Sequence, residues 1–204
     1  MAEFEHMSFK VPKDHRWPSR KGWNVFVADR GAVRFHCPRT WIIKPQEGGS
    51  VQFRDRPEPD DNCLLEISVI HLNPDMVWVD LPLEDLLRDM NKDDGRNVTW
   101  EPAIHPKRHD CDLVTLRGTF IDPNEKRLAF SHACLGYNNF IMPFITYVYW
   151  ADDQGRFGPI WEEVLRSMRI GEAVTFRGPL EPGRGLEQAT QDARRWWETH
   201  GPGS

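Results

Sequence analysis

His132 and Cys134 stand two residues apart in the run Ser131-His132-Ala133-Cys134. On an extended strand that spacing turns both side chains to one face, where an imidazole and a thiolate can chelate a soft metal. A closed zinc site needs four such ligands, and neither a CxxC nor an HxxxH spacing supplies a second pair. Small polar residues of a strand interior account for the same pattern. The pairs His36-Cys37 and His109-Cys111 are weaker still. A cysteine nucleophile would need a base brought beside it by the fold, and no GxSxG elbow, HExxH helix or phosphate-binding P-loop is present. Asp60-Asp61, Asp93-Asp94 and Asp152-Asp153 fall in loop-like stretches and read as solvated turn residues. Gly183-Arg184-Gly185 is similar to an anion-binding turn but does not follow a strand, so it reads as linker. We therefore expect no catalytic, cofactor-binding or metal-binding residues and no cofactor. An enzyme or metal-binding protein built around His132 and Cys134 is kept as the alternative.

Tryptophan is the more informative class, since nine of them are more than a chain of 204 residues would lead one to expect. Trp41, Trp150 and Trp161 lie at strand or helix positions that read as core. Trp17, Trp78, Trp100, Trp196 and Trp197 sit in arms, loops or a peripheral helix, where a large aromatic must find a groove on its own domain or a partner. Tryptophan is enriched at interface hot spots, so Trp78, Trp100, Trp196 and Trp197 are the candidate partner-binding residues.

The elements that must position these residues centre on residues 127–170. Two strand candidates, residues 127–137 and 144–151, are rich in aromatic and β-branched side chains and flank the small polar run Gly136-Tyr137-Asn138-Asn139, as an antiparallel hairpin requires. Asp152-Asp153-Gln154-Gly155 reads as a turn. Pro159 suits a first helical turn, and Ile160, Trp161, Val164, Leu165 and Met168 fall on one stripe of a helix over residues 159–169. Upstream, residues 23–28 and 32–37 form a first hairpin around Asp29-Arg30-Gly31, and Trp41-Ile42-Ile43 pairs with the strand of Val51 and Phe53. Residues 63–72 carry apolar side chains on both faces, the pattern of a strand covered on both sides. Asp80 is a candidate N-cap for a short helix with the stripe Leu83, Leu86, Leu87, Met90, which Gly95 ends. Residues 98–100 form a short edge strand and residues 113–121 a long one. A last strand is expected only after Pro143, because proline cannot donate to an interior ladder.

Length predicts one main domain with peripheral segments. Residues 1–22 form an extended arm, residues 23–171 the domain, residues 172–185 a Gly/Pro linker, and residues 186–204 a C-terminal helix (186–199) and tail. Met1 to His6 and Gly201 to Ser204 read as residue of cloning sites and stay outside the fold reasoning. A net charge of −5 supplies no field to attract a polyanion, so no nucleic-acid partner is expected. No apolar run approaches the ~18 residues of a membrane span. Four cysteines spaced singly read as free buried thiols, which points to the cytoplasm unless a signal sequence has been removed.

The run Val33-Arg34-Phe35-His36-Cys37-Pro38-Arg39-Thr40-Trp41-Ile42-Ile43, with Pro38 and Trp41 ahead of an aliphatic pair, resembles the F-P-x-x-W opening of the PsbP-like superfamily. The helix sequence DLPLEDLLRDM and the closing WEEVLRSMRI, with Ser167 and Ile170 in place, extend the resemblance over residues 31–170. It implies an α+β fold, a single domain with an antiparallel β-sheet flanked by helices in an α-β-α sandwich. Members of that superfamily include the extrinsic photosystem II protein, a Ran-binding nuclear-import factor and chaperone-adaptors for secreted toxins. What they share is binding rather than catalysis. The resemblance thus implies a non-catalytic protein-binding or assembly module whose partner is another protein, and it carries over no site residue.

Overall fold

Strict alternation builds the first hairpin: in β2 (Val33–Pro38) the side chains of Val33, Phe35 and Cys37 are buried while Arg34, His36 and Pro38 are not, the period of a half-covered strand. It pairs with β1 (Trp23–Ala28). The 3-10 turn between them needs left-handed backbone at Asp29 and Gly31, with φ of 44° and 101°. The computed structural model describes residues 20–73, 80–92 and 95–171; the expected C-terminal helix and its linker lie outside them.

The chain continues through β3 (Ile42–Pro45), β4 (Val51–Arg54), β5 (Cys63–His71), the helix α1 (Leu83–Met90), and β6 (Thr99–Trp100). It then adds β7 (Asp112–Ile121), β8 (Leu128–Tyr137), β9 (Ile141–Trp150), the helix α2 (Gln154–Ser167) and β10 (Arg169–Ile170). Two antiparallel sheets result, a small one in the order β1-β2-β10 and a large one in the order β3-β4-β5-β9-β8-β7-β6. This is an α+β sandwich in a single domain. One cluster joins the sheets: Phe53, Leu65, Ile67, Ile145 and Tyr147 of the large sheet meet Val33, Phe35 and Cys37 of the small one and Phe157, Trp161, Val164 and Met168 of α2. The small sheet and α2 thus share the inner face of the large sheet. On its outer face Leu83 and Leu87 of α1 cover Val114, Leu116, Ala133 and Leu135.

Several sequence expectations are corrected. The closing helix starts at Gln154, not Pro159, and Asp152-Asp153 belong to a 3-10 turn ahead of it. Pro159 forfeits one bond to the Gly155 carbonyl, and burial of Phe157 and Trp161 on either side of it holds the helix through that point. The helix ends at Ser167, because Arg169 and Ile170 pair with Arg34 and Val33 as a strand. Strand β9 begins at Ile141, with Pro143 inside it opposite Val69 of β5. Asn138 and Ile141 exchange both amide bonds, so the same parity aims position 143 at Gly136 of β8. There the β8 ladder stops, at Leu135 and Phe144, and the missing donor is accommodated at the skipped pair. Asp80 does not cap α1; it has φ 53°, and Pro82 holds the cap position. Strand β5 buries Cys63, Leu65 and Ile67 on its inner face but leaves Leu64, Glu66 and Ser68 half-buried; only towards its end, where Ile70 packs against the α1 cluster, is the second face covered as expected.

Candidate functional site

The β8–β9 register sets the environment of His132. His132 faces Tyr147, and Phe130 faces Tyr149, so all four rings share the inner face, and α2 lays Trp161 across them. The His132 ring stacks on Tyr149 with centroids 5.4 Å apart and lies 5.3 Å from Trp161. Its Nε2 meets the Tyr149 hydroxyl at 3.1 Å. Burial, assisted by the charge of Arg117, pushes the imidazole down to about 4, so it is neutral at physiological pH. Cys134 is completely buried, and burial raises its thiol well above the ordinary range. The expected common face is real, but it is the aromatic core between the sheets. No group of three or more His, Cys, Asp or Glu among the described residues is arranged to hold a metal ion.

The other thiols behave alike. All four cysteines are free and buried, and burial lifts Cys37 to about 11 and Cys63 to about 12. A thiol that stays protonated is a poor nucleophile. The Tyr147 hydroxyl has no conventional hydrogen-bond partner, only the Cys63 thiol beside it, and burial raises its pKa.

Two clusters carry charge into the interior. Glu163, buried on α2, accepts His36 Nδ1 at 2.6 Å and both Nε and Nη2 of Arg166. Burial alone would raise its carboxyl, but the Arg166 and His36 hydrogen bonds outweigh it and the pKa falls. Ser167 Oγ accepts the backbone amide of His36 at 2.8 Å and donates to the Glu163 carbonyl at 2.7 Å. Serine, histidine and glutamate thus meet, yet the hydroxyl engages the histidine backbone and not its ring. The arrangement fastens α2 to β2 and activates no nucleophile. Asp55 is the second: burial again opposes ionisation, and bonds from Asn62 together with the charges of Arg156 and Arg56 lower its pKa overall. It pins the 55–62 loop to α2 through Arg156 at 3.1 Å.

A groove of about 690 Å³ is lined by Pro106, Arg108, Leu113, Leu165, Arg166 and Arg169, among others. Its cations are committed. Arg108 donates to the carbonyls of Leu165 at 2.7 Å and Met168 at 2.6 Å while pairing with Asp110. Arg169 donates to Met168 at 2.7 Å. These are the orphan carbonyls at the C-terminal end of α2, where positive charge is favoured. The groove is a helix cap. Neither Arg108 nor Glu163 was singled out from sequence, because their partners lie 57 to 127 residues away.

Of the tryptophans expected at a partner surface, Trp78, Trp196 and Trp197 lie outside the described residues. Trp100 is half-buried on the edge strand β6 and packs with the α1 cluster. It can do so because position 118 has no side chain: a Cβ on Gly118 would sit 2.6 Å from Val98 Cγ1, 2.8 Å from the Thr99 carbonyl oxygen and 2.9 Å from Trp100 Cε3. A backbone oxygen cannot swing aside. Gly118→Ala should therefore displace β6 and cost about 1–3 kcal/mol, read as a lower urea midpoint and faster amide exchange at Trp100. An unchanged midpoint would mean that β6 is not held there. Trp41 and Trp161 are core as expected, at 7% and 6% exposure. Trp150 is corrected: it is half-buried on the outer face, with the Arg127 guanidinium 4.9 Å over its ring.

Two antiparallel sheets enclosing an aromatic core, closed by a C-terminal helix and a small outer helix, define the PsbP-like class of fold. The cyanobacterial PsbP protein (CyanoP) of Synechocystis sp. PCC 6803 superposes with a TM-score of 0.56 at 17% identity, covering 74% of this chain and 94% of that one. The Saccharomyces cerevisiae Ran-binding protein Mog1p gives 0.49 at 9% identity, over 72% and 95%. The Alr1449 family model matches residues 24–174, and the chain belongs to the Alr1449 family. It is 41% identical over 160 residues to the uncharacterized protein alr1449 of Nostoc sp. (strain PCC 7120), covering 78% of this chain and 82% of that one.

Proposed function

We propose that this protein is a non-catalytic protein-binding or assembly module, an adaptor rather than an enzyme. The observation that carries the reading is the outer face of the large sheet. There α1 covers the β7–β8 side, and a row across the remaining strands is open: Ile42, Leu64 and Val148 in register on β3, β5 and β9, with Trp150 beyond. Ile42 is 42% exposed and the other three are half-buried. On β4 the same row holds Arg54, between Ile42 and Leu64 and paired with Asp61, and Lys44, Gln52 and Glu66 form the polar row beside it, so polar groups surround the apolar side chains as at an interface rim. Among the described residues, His132 and the four cysteines are buried, and Glu163 and Asp55 are spent on structural pairs. Four buried free thiols support a reducing compartment, the cytoplasm. Trp100, with Trp78, Trp196 and Trp197, completes the proposed contact set.

Val148→Glu tests the reading, because a carboxylate in the middle of that row should reduce capture of host partners at least tenfold, about 1.4 kcal/mol. The melting temperature should stay close to wild type, since the side chain is half-buried rather than core. Captured proteins that remain at wild-type yield in this variant would remove the outer face from consideration. If Trp100→Ala and the 186–204 deletion also leave capture intact, the binding reading itself fails.

A further inference from the structure

The outer face of the large sheet carries a pattern that emerges only across three strands. The β3–β4 and β4–β5 ladders put Ile42, Arg54 and Leu64 in one row and Lys44, Gln52 and Glu66 in the next. Both rows lie on the face opposite to the buried Phe53, Leu65 and Ile67, because successive side chains of a strand alternate. Ile42 is 42% exposed, Lys44 is exposed and the other four are half-buried. From β3 to β5 the first row runs apolar, cationic, apolar, and the second runs positive, neutral, negative. The patch is therefore self-complementary about β4: its apolar ends match each other, and so do its opposite end charges.

In a two-fold dimer a patch meets a copy of itself, so that residue i contacts j while j contacts i. We propose that this patch docks a second copy of the chain, sheet against sheet, about a two-fold axis parallel to β4. The inference rests on the binding role of the outer face and assigns its β3–β5 part to this same protein.

That axis carries β3 of one protomer over β5 of its partner. Ile42 then meets Leu64 of the partner subunit and Lys44 meets Glu66 of the partner subunit, each contact being made twice. An axis across the strands would lay every strand on its own copy and never bring Lys44 to Glu66. Aligned sheets pack about 10 Å apart, a gap that a lysine and a glutamate span together. Gln52 Nε2 donates to Glu66 Oε2 at 2.9 Å and steadies the carboxylate for that contact. Arg54 falls on the axis opposite its own copy, with its charge offset by Asp61 and Glu58. The helix α1 stands over β7 and β8, which the axis carries outward, clear of the overlap. Three strands about 4.8 Å apart give less than the roughly 800 Å² per partner of a standard interface, so the dimer is weak and concentration-dependent.

Sedimentation equilibrium of the full chain at about 10–500 μM, suited to a small interface, should show monomer and dimer in exchange. Lys44→Glu and Glu66→Lys should each weaken association at least about tenfold, since each sets like charges together twice. An equimolar mixture of these two variants should recover the dimer, because both contacts then join opposite charges. The double variant carrying both changes should recover it too. Ile42→Asp tests the apolar row by itself and should weaken association by a similar factor. Lys107→Glu makes the same change of net charge on an exposed loop elsewhere and should leave association unchanged. A wild type that stays monomeric over the whole range would overturn the proposal, as would wild-type association in all three single variants on the patch. A mixture no more dimeric than either variant alone would overturn it as well. If the wild type is monomeric and Val148→Glu still lowers partner capture, the dimer alone fails and the binding role of the face stands.

Discussion

Trp161→Ala is expected to lower the unfolding free energy by about 3–5 kcal/mol, the largest loss from any single substitution outside the backbone. Trp161 is 6% exposed. Its ring stands 5.3 Å from His132 and 6.0 Å from Tyr147, so truncation opens a cavity at the point where α2, β8 and β9 meet. The surroundings cannot close it, because Tyr147 and Tyr149 are fixed in the middle of a long ladder and α2 is fastened by Glu163 to His36. Against a total stability of about 5–15 kcal/mol, such a loss leaves a domain that is only marginally folded at room temperature. Urea denaturation followed by far-ultraviolet circular dichroism measures it. A loss below about 1 kcal/mol would contradict the role of α2 as the lid of the main core.

The second large effect is a loss of stability in acid that begins well above the carboxylate range. His132 titrates at 6.5 when unfolded and at about 4 in the folded protein. The unfolded chain therefore binds the extra proton first, and stability is fully present above pH 6.5. It declines as pH falls from there to about 4, where the folded form also protonates. A shift of that size corresponds to about 3 kcal/mol. Glu163 and Asp55, whose folded values lie below the ordinary carboxylate range, lose their contributions only at lower pH. The two windows are thus separable. His132→Phe keeps a ring in the stack and should flatten the decline between pH 6.5 and 4 while leaving the steeper loss below it. Stability curves for the two proteins that run parallel across that interval would show that the imidazole takes up its proton in the fold as readily as in the unfolded chain.

Much of the architecture is written in local pattern. The alternation of Val33, Phe35 and Cys37, the turn at Asp29-Arg30-Gly31 and the stripe of Leu83, Leu87 and Met90 each require only near neighbours, and each is found where the residues place it. The resemblance carried by Pro38, Trp41 and WEEVLRSMRI leads to the same PsbP-like fold that the superposition on CyanoP shows. Errors fell where a long-range partner overrode a local rule. Pro143 stands inside β9 because β5 supplies the ladder on its other side and the β8 ladder skips that pair. Pro159 stands inside α2 because Phe157 and Trp161 are buried around it. Arg169 and Ile170 leave the helix because β2 has an open edge for them.

The sequence by itself determined the alternating strands, the two amphipathic helices, the free and separate cysteines and the absence of a recognisable catalytic motif, because these depend on residue type and on spacings of two to four positions. It also put His132 and Cys134 on one face. Only the tertiary structure decided what that face meets: Tyr147, Tyr149 and Trp161, brought from β9 and α2, turn a conceivable metal-ligand pair into a desolvated core. The structure likewise decided that Arg108 caps α2 and that Glu163 takes its charge partner from β2. Pairings across 57 to 127 residues depend on strand order, and strand order arises from the burial of whole faces against one another, which no local spacing encodes.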